Sequence, residues 1–103
     1  MATLIVLSVA RPGEEAALQK YVEQVMPLLF DAGGAVVKRV GISDTVAGGP
    51  DTGFIFIMDF DSAASIRTVF DSDEYAALIP IRDKAFTQID ILITEDLPPA
   101  GAS

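Results

Sequence analysis

Residues 54–60 read FIFIMDF, Phe54 to Phe60, a run of aromatic and branched side chains interrupted by one acid. Such residues favour extended chain. In a strand successive side chains point to opposite faces, so Phe54, Phe56, Met58 and Phe60 line one face, with Ile55 and Ile57 on the other. Both faces are apolar. Thr3–Ala10, TLIVLSVA, has the same property: Leu4 and Val6 point one way, and Ile5, Leu7 and Val9 the other. A sheet covered on one side only would alternate apolar with polar residues. These strands therefore call for cover on both sides, and the rest of the chain supplies helices enough for one.

Outward from this strand the element pattern is readable. Arg11-Pro12-Gly13 ends the first strand, and Glu14-Glu15 open a helix, acids being favoured at its positive end. Its apolar positions, Leu18, Tyr21, Val22, Val25, Leu28 and Leu29, keep helical spacing as far as Gly33-Gly34. Pro27 lies inside it and predicts a bend or an early change of direction. Ala35–Ile42 is a second strand, and 43–53, containing GGPDTG, is a loop. After the third strand, Asp61-Ser62 caps a short helix that buries Ile66, Val69 and Phe70. Asp71-Ser72 caps another, with Asp73 and Glu74 in its first turn and a stripe made by Tyr75, Leu78, Ile79, Arg82 and Phe86. Pro80 falls in its middle. Ile89–Glu95 is a fourth strand, and LPPAGAS is a frayed end.

The order βαββααβ predicts an α+β fold of ferredoxin-like plan, a four-stranded antiparallel sheet with helices on one face. It occupies residues 1–97 as one domain, with 98–103 as a disordered tail. The second apolar face of the sheet needs a partner, and another copy of the same sheet is the simplest one. A homodimer joined through its sheets is the expectation.

Composition narrows the chemistry. The 103 residues are 50% hydrophobic and 21% charged, a balance that folds, and a chain of this size buries roughly 65% of its unfolded surface. There is no cysteine, which removes disulfides, thiolate metal sites, Cys nucleophiles and iron–sulfur clusters. There is no histidine, which removes the commonest metal ligand and the usual general base near neutral pH. No metal or other cofactor is expected. Fifteen acids against seven bases give a net charge of −8, which repels a phosphate backbone, so a nucleic-acid partner is not expected. The opening MATLIVLSVARP resembles a leader at Ser8-Val9-Ala10, but no base precedes its apolar run. The run is also too short for a membrane span, which needs about 20 residues. It reads as a strand, and the protein as cytoplasmic.

Candidate functional residues are few. Arg82 stands in an apolar helical stripe, where it is either the anchor of an ion pair with a nearby aspartate or an anion-binding group at the mouth of a pocket. A guanidinium suits the second role because its planar fork matches a carboxylate and keeps its charge when half-buried. Tyr75, like Tyr21, lies on an apolar face and needs a partner for its hydroxyl. Asp59 either ends the third strand at the surface or faces the helices, where it would meet Arg82 or act as a weak base. The DSDE run at 71–74 caps a helix and lacks a calcium-loop pattern. Gly33-Gly34 and Gly48-Gly49 match no phosphate-binding motif and are turn residues.

The stretch FDSAASIRTVFDSDEYAALIPIRDKAFTQIDILITED resembles the DUF1330 family of the dimeric α+β barrel superfamily. The matching positions are Ser72, Glu74, Tyr75, Pro80, Arg82 and Glu95, preceded by Tyr21, Pro27, Gly33-Gly34 and Arg39. Asp59 stands in place of the family's usual Glu, Phe70 in place of a tyrosine, and Asp96 in place of the terminal Gly. The resemblance implies a ferredoxin-like protomer that dimerises sheet to sheet. It names no reaction, since relatives in the superfamily include cofactor-free monooxygenases, isomerases, haem enzymes and ligand-sensing domains.

Three functions follow as expectations. In the first, Arg39, Arg82, Tyr75 and Asp59 serve a site for a small anionic or aromatic metabolite between sheet and helices. The second is a cofactor-independent monooxygenase or isomerase in which Asp59 or Tyr75 moves a proton. The third is a dimer without ligand, its arginines structural. Convergence of Arg39 and Arg82 on one open cavity without carboxylate partners would favour the first, and an acid paired with each would favour the third.

Overall fold

In a computed structural model that describes residues 1–98, the elements are β1 (Ala2–Ala10), α1 (Glu15–Asp31), β2 (Ala35–Gly41), β3 (Phe54–Phe60), α2 (Ala63–Phe70), α3 (Asp73–Ala76), α4 (Ile79–Ala85) and β4 (Phe86–Glu95). The strands form one antiparallel sheet in the order β2-β3-β1-β4, the ferredoxin-like arrangement that the sequence predicted. The expected tail, 98–103, lies outside the described residues apart from Pro98.

The side-chain alternation of β1 and β3 sets what lies on each face. Leu4 pairs with Met58 and Ala2 with Phe60, and all four are buried beneath the helices. Ile66 and Val69 of α2, Tyr21, Val25 and Leu29 of α1, and Leu78 and Ala85 pack on them to complete the core. On the opposite face Ile5 lies between Ile57 and Leu92, and Leu7 beside Ile55, with no helix over them. Leu92 is 51% exposed and Val40 37%. The slab is 17 Å in its thinnest dimension, about what one sheet and one layer of helices occupy.

As expected, α1 runs through Pro27 and stops just before Gly33-Gly34, at Asp31, though the ring leaves the carbonyl of Glu23 without its usual donor. Two boundaries differ from the sequence reading. Pro80 does not lie mid-helix. The chain breaks before it, and Pro80 sits in the first turn of α4, where its missing N–H would have had no helical partner. Phe86 is the first residue of β4 and not the last of a helix, since β1 pairs with it at Ala10 through a bulge. Arg11 explains the abrupt change. Its guanidinium donates to the carbonyls of Lys84 (3.2 Å) and Phe86 (3.0 Å), and its N–H donates to the carbonyl of Ala85 at 2.8 Å. The end of α4 is thus tied to the loop after β1.

The caps formed where serine was expected. Ser62 Oγ accepts from Ser65 N at the start of α2, and Ser72 Oγ accepts from Tyr75 N at the start of α3. Gly33 has φ +92° just past α1, the left-handed position in which a Cβ is strained.

Candidate functional site

A cleft of about 350 Å³ opens between the helices and the β4 edge of the sheet. Ile91 and Ile93 form its floor, because they share the helix-facing side of β4 with their partners Val6 and Leu4. Phe70 at the end of α2 and Ile79 at the start of α4 add apolar walls. The remaining lining residues are Tyr75, Arg82 and Arg67. An apolar slot of this size with a few convergent polar groups has the make-up of a small-molecule site.

The break at residues 77–78 places these polar groups. Tyr75 lies on α3, capped by Ser72, and Arg82 lies on α4, its N–H bonded to Leu78 O at 2.8 Å. Seven residues apart, the two remain on one side of the chain. Arg82 Nη1 donates to Tyr75 Oη at 3.2 Å, and its Cζ lies 5.9 Å from the centre of the Tyr75 ring. Arg82 Nε also reaches Asp83 Oδ1 at 3.2 Å, but the Asp83 side chain is 65% exposed against 24% for Arg82. A carboxylate so open to water contributes little, about 0–1 kcal/mol. The phenol of Tyr75 is therefore the principal anchor, and it holds the guanidinium without neutralising it. Burial works against the charge of Arg82, and the hydrogen bonds to Tyr75 and Asp83 more than offset it, so its pKa moves upward.

Behind Tyr75 stands Tyr21 of α1. The two hydroxyls are 2.9 Å apart and the rings meet edge to face at 6.4 Å. Burial first, and then the hydrogen bond with Tyr75, raise the pKa of Tyr21, while the positive charge of Arg82 pulls the other way. Phe86 packs against Tyr21 at 5.6 Å and Phe70 against Tyr75 at 4.7 Å, so aromatic edges fix both phenols.

Arg39 and Asp59 lie elsewhere. Arg39 is exposed on edge strand β2, three strands from β4, or about 14 Å of sheet. It therefore does not converge with Arg82 within one protomer. Asp59 alternates with the buried Met58 and Phe60 and so points away from the helices, where Thr3 Oγ1 donates to it at 2.7 Å. Neither lines the cleft. Arg67, which the sequence reading passed over, does. It lies one helical turn before Phe70 and pairs with Asp71 at 3.2 Å, both side chains largely exposed. That i, i+3 relation to an apolar wall residue was the available signal. Among the described residues no cluster of acids is placed to hold a metal ion.

Fold and cleft together define an α+β protein of the ferredoxin-like class with an open site between helices and sheet. The chain belongs to the family described as domain of unknown function DUF1330, whose pattern matches residues 3–97. No curated protein matches the sequence. Among solved structures it is similar to a protein of unknown function from Rhodopseudomonas palustris (TM-score 0.79, 19% identity, covering 95% of this chain and 83% of that one). It is also similar to a dimeric protein of unknown function and ferredoxin-like fold from Bacteroides fragilis (TM-score 0.59, 14% identity, covering 92% and 95%). An uncharacterised NIPSNAP domain protein from Burkholderia xenovorans has TM-score 0.61 and 12% identity, covering 100% of this chain and 99% of that one. At such identities the likeness is one of fold.

Proposed function

We propose that this protein binds a small organic anion with an apolar body in the cleft, and does so as a homodimer joined through its open sheet faces. The carrying observation is electrostatic. In a chain of net charge −8, two of the seven basic residues line one cleft, and among the described residues no carboxylate lines it with them; their ion-pair partners, Asp71 and Asp83, are largely exposed and lie outside the lining. Guanidiniums at the rim and isoleucines on the floor suit a ligand charged at one end and greasy at the other, such as a carboxylate on an aromatic or short aliphatic body. Binding is favoured over turnover because among the described residues no carboxylate or other ready base lines the cleft, and Asp59 points away from it.

The dimer is supported by the apolar sheet face that the helices leave open, and by the similarity in fold to the dimeric protein from Bacteroides fragilis. No helix among the described residues is long and apolar enough to cross a membrane. Residence in the cytoplasm belongs to the same proposal.

The test is thermal unfolding against a panel of carboxylates, phenols and quinones, for the wild type and for Arg82→Met and Arg67→Met. A ligand at a hundredfold excess over its Kd adds about 2.7 kcal/mol, several degrees in a domain of this size. A saturable shift that both variants lose establishes the site. No shift across the panel, with the variants merely less stable, leaves a dimer whose arginines are structural.

A further inference from the structure

The hydroxyl protons of the tyrosine pair can be counted. Arg82 only donates, so Tyr75 Oη accepts from it. Tyr21 Oη and Tyr75 Oη, 2.9 Å apart, share one further proton, and the geometry allows either to give it. Neither hydroxyl has another protein partner among the described residues, so whichever oxygen accepts keeps its own proton for something else. Both residues are buried, Tyr21 5% and Tyr75 2% exposed, and what separates them is that Tyr75 lines the cleft while Tyr21 does not. Were Tyr75 the donor, the proton of Tyr21 would be enclosed without an acceptor, the costly state for a buried polar group. With Tyr21 as donor, both lone pairs of Tyr75 are occupied, by Tyr21 and by Arg82, and its own proton has the cleft to point to. Tyr21 also keeps its proton throughout the neutral range, burial having raised its pKa.

We infer that Tyr21 fixes the sense of this hydrogen-bonded pair, makes Tyr75 a donor toward the cleft, and so restricts the ligand's head group to one that only accepts, a carboxylate or enolate in preference to its carboxamide or alcohol counterpart. This rests on the anion-binding reading above and names the head group for it. Every polar side chain lining the cleft then donates: Arg67, Arg82 and Tyr75. A carboxylate accepts from all of them, while a carboxamide turns N–H groups toward a wall with no acceptor. Tyr21 touches no ligand in this scheme and is a positioning residue acting through Tyr75.

The experiment is calorimetric titration of the wild type, Tyr21→Phe, Tyr75→Phe and the double variant with two matched pairs, benzoate with benzamide and hexanoate with hexanamide. The wild type should prefer each carboxylate. Tyr21→Phe frees a lone pair on Tyr75, which can then accept an N–H, so the carboxylate-to-amide ratio should fall roughly fivefold to tenfold. Tyr75→Phe should lower the ratio similarly, and the double variant should fall no further, because the two tyrosines act in series. Should Tyr21→Phe prove poorly folded, Tyr75→Phe still tests the donor, since it keeps the buried Tyr21 ring: an unchanged ratio there overturns the inference. A wild-type preference that survives in Tyr21→Phe and Tyr75→Phe overturns this inference and leaves the anion site standing. Failure of the wild type to bind either carboxylate overturns both.

Discussion

Tyr21 and Tyr75, 54 positions apart in the chain, meet hydroxyl to hydroxyl at 2.9 Å in the interior. The contact joins the long helix α1 to the short α3, and with Phe70 and Phe86 it forms a run of edge-to-face rings from the end of α2 to the start of β4. The cleft is built on that run. Its polar rim is thus tied to buried rings of the core, although the helices carrying Tyr75 and Arg82 are only four and seven residues long.

The same contact predicts a pH dependence. The folded-state pKa of Tyr21 lies above the unfolded value of about 10, so above that pH the unfolded state releases a proton that the folded state keeps. Stability from this group is complete below pH 10 and is lost as pH rises, at up to about 1.4 kcal/mol per pH unit. Thermal unfolding between pH 9 and pH 11 should therefore fall more steeply for the wild type than for Tyr21→Phe. Parallel curves would show that Tyr21 ionises as freely folded as unfolded.

Gly34 is required by space and not by its backbone angles. A Cβ there would lie 2.7 Å from Phe60 Cζ and 2.9 Å from both Met58 Cε and the carbonyl oxygen of Leu29, to which Gly34 N already donates. The oxygen belongs to the backbone of α1 and cannot swing aside. Gly34→Ala should cost about 1–3 kcal/mol in urea-induced unfolding, the usual penalty of overpacking. A change within ±0.5 kcal/mol would mean that α1 and β3 can separate slightly without loss.

Ser72 serves two helices. Its Oγ accepts from Tyr75 N at 3.1 Å and donates to Val69 O at 2.6 Å, so it caps α3 and holds the end of α2. Ser72→Ala should destabilise the fold by about 1–2 kcal/mol, and Ser72→Asp should recover only the acceptor half. Equal stability of all three proteins would remove the cap as a determinant of Tyr75's position.

The open sheet face gives the fourth prediction. Ile57 lies at its centre, beside Ile5, which in turn neighbours Leu92. Placing a charge there leaves the helix-covered core untouched and sets like charges against one another across a twofold interface. Sedimentation equilibrium should find the wild type at twice the 10.9 kDa chain mass and Ile57→Lys at the chain mass, with similar circular dichroism. A wild type that sediments at 10.9 kDa at all concentrations would rule out the dimer.

Much of the fold was legible because short-range rules governed it. Continuous runs of branched and aromatic residues gave β1 and β3, serine gave the caps of α2 and α3, and Gly33 gave the left-handed exit from α1. Pro80 was misplaced because helical periodicity continues across residues 71–86 and cannot show a break in register with the apolar stripe intact. Phe86 was misassigned for a related reason: its membership of β4 depends on pairing with Ala10, 76 positions away. In the candidate site, Tyr75 and Arg82 were visible as a stripe, but Arg67 was signalled only by its place one turn before Phe70, and the orientation of α2 toward the cleft is set by tertiary packing.

The sequence by itself determined the order of elements, the double apolar character of the sheet and the absence of thiol or imidazole chemistry, since each follows from residue type and spacing along the chain. Only the tertiary structure decided which charges share a cleft. It removed Arg39 and Asp59 and added Arg67, because strand order sends β2 and β4 to opposite edges and the pleat turns Asp59 away from the helices. It also gave Arg82 a phenol beside the readable aspartate: the guanidinium meets both Asp83 and Tyr75, and Tyr75 is in turn bonded to Tyr21, brought in from α1 by the packing of the core.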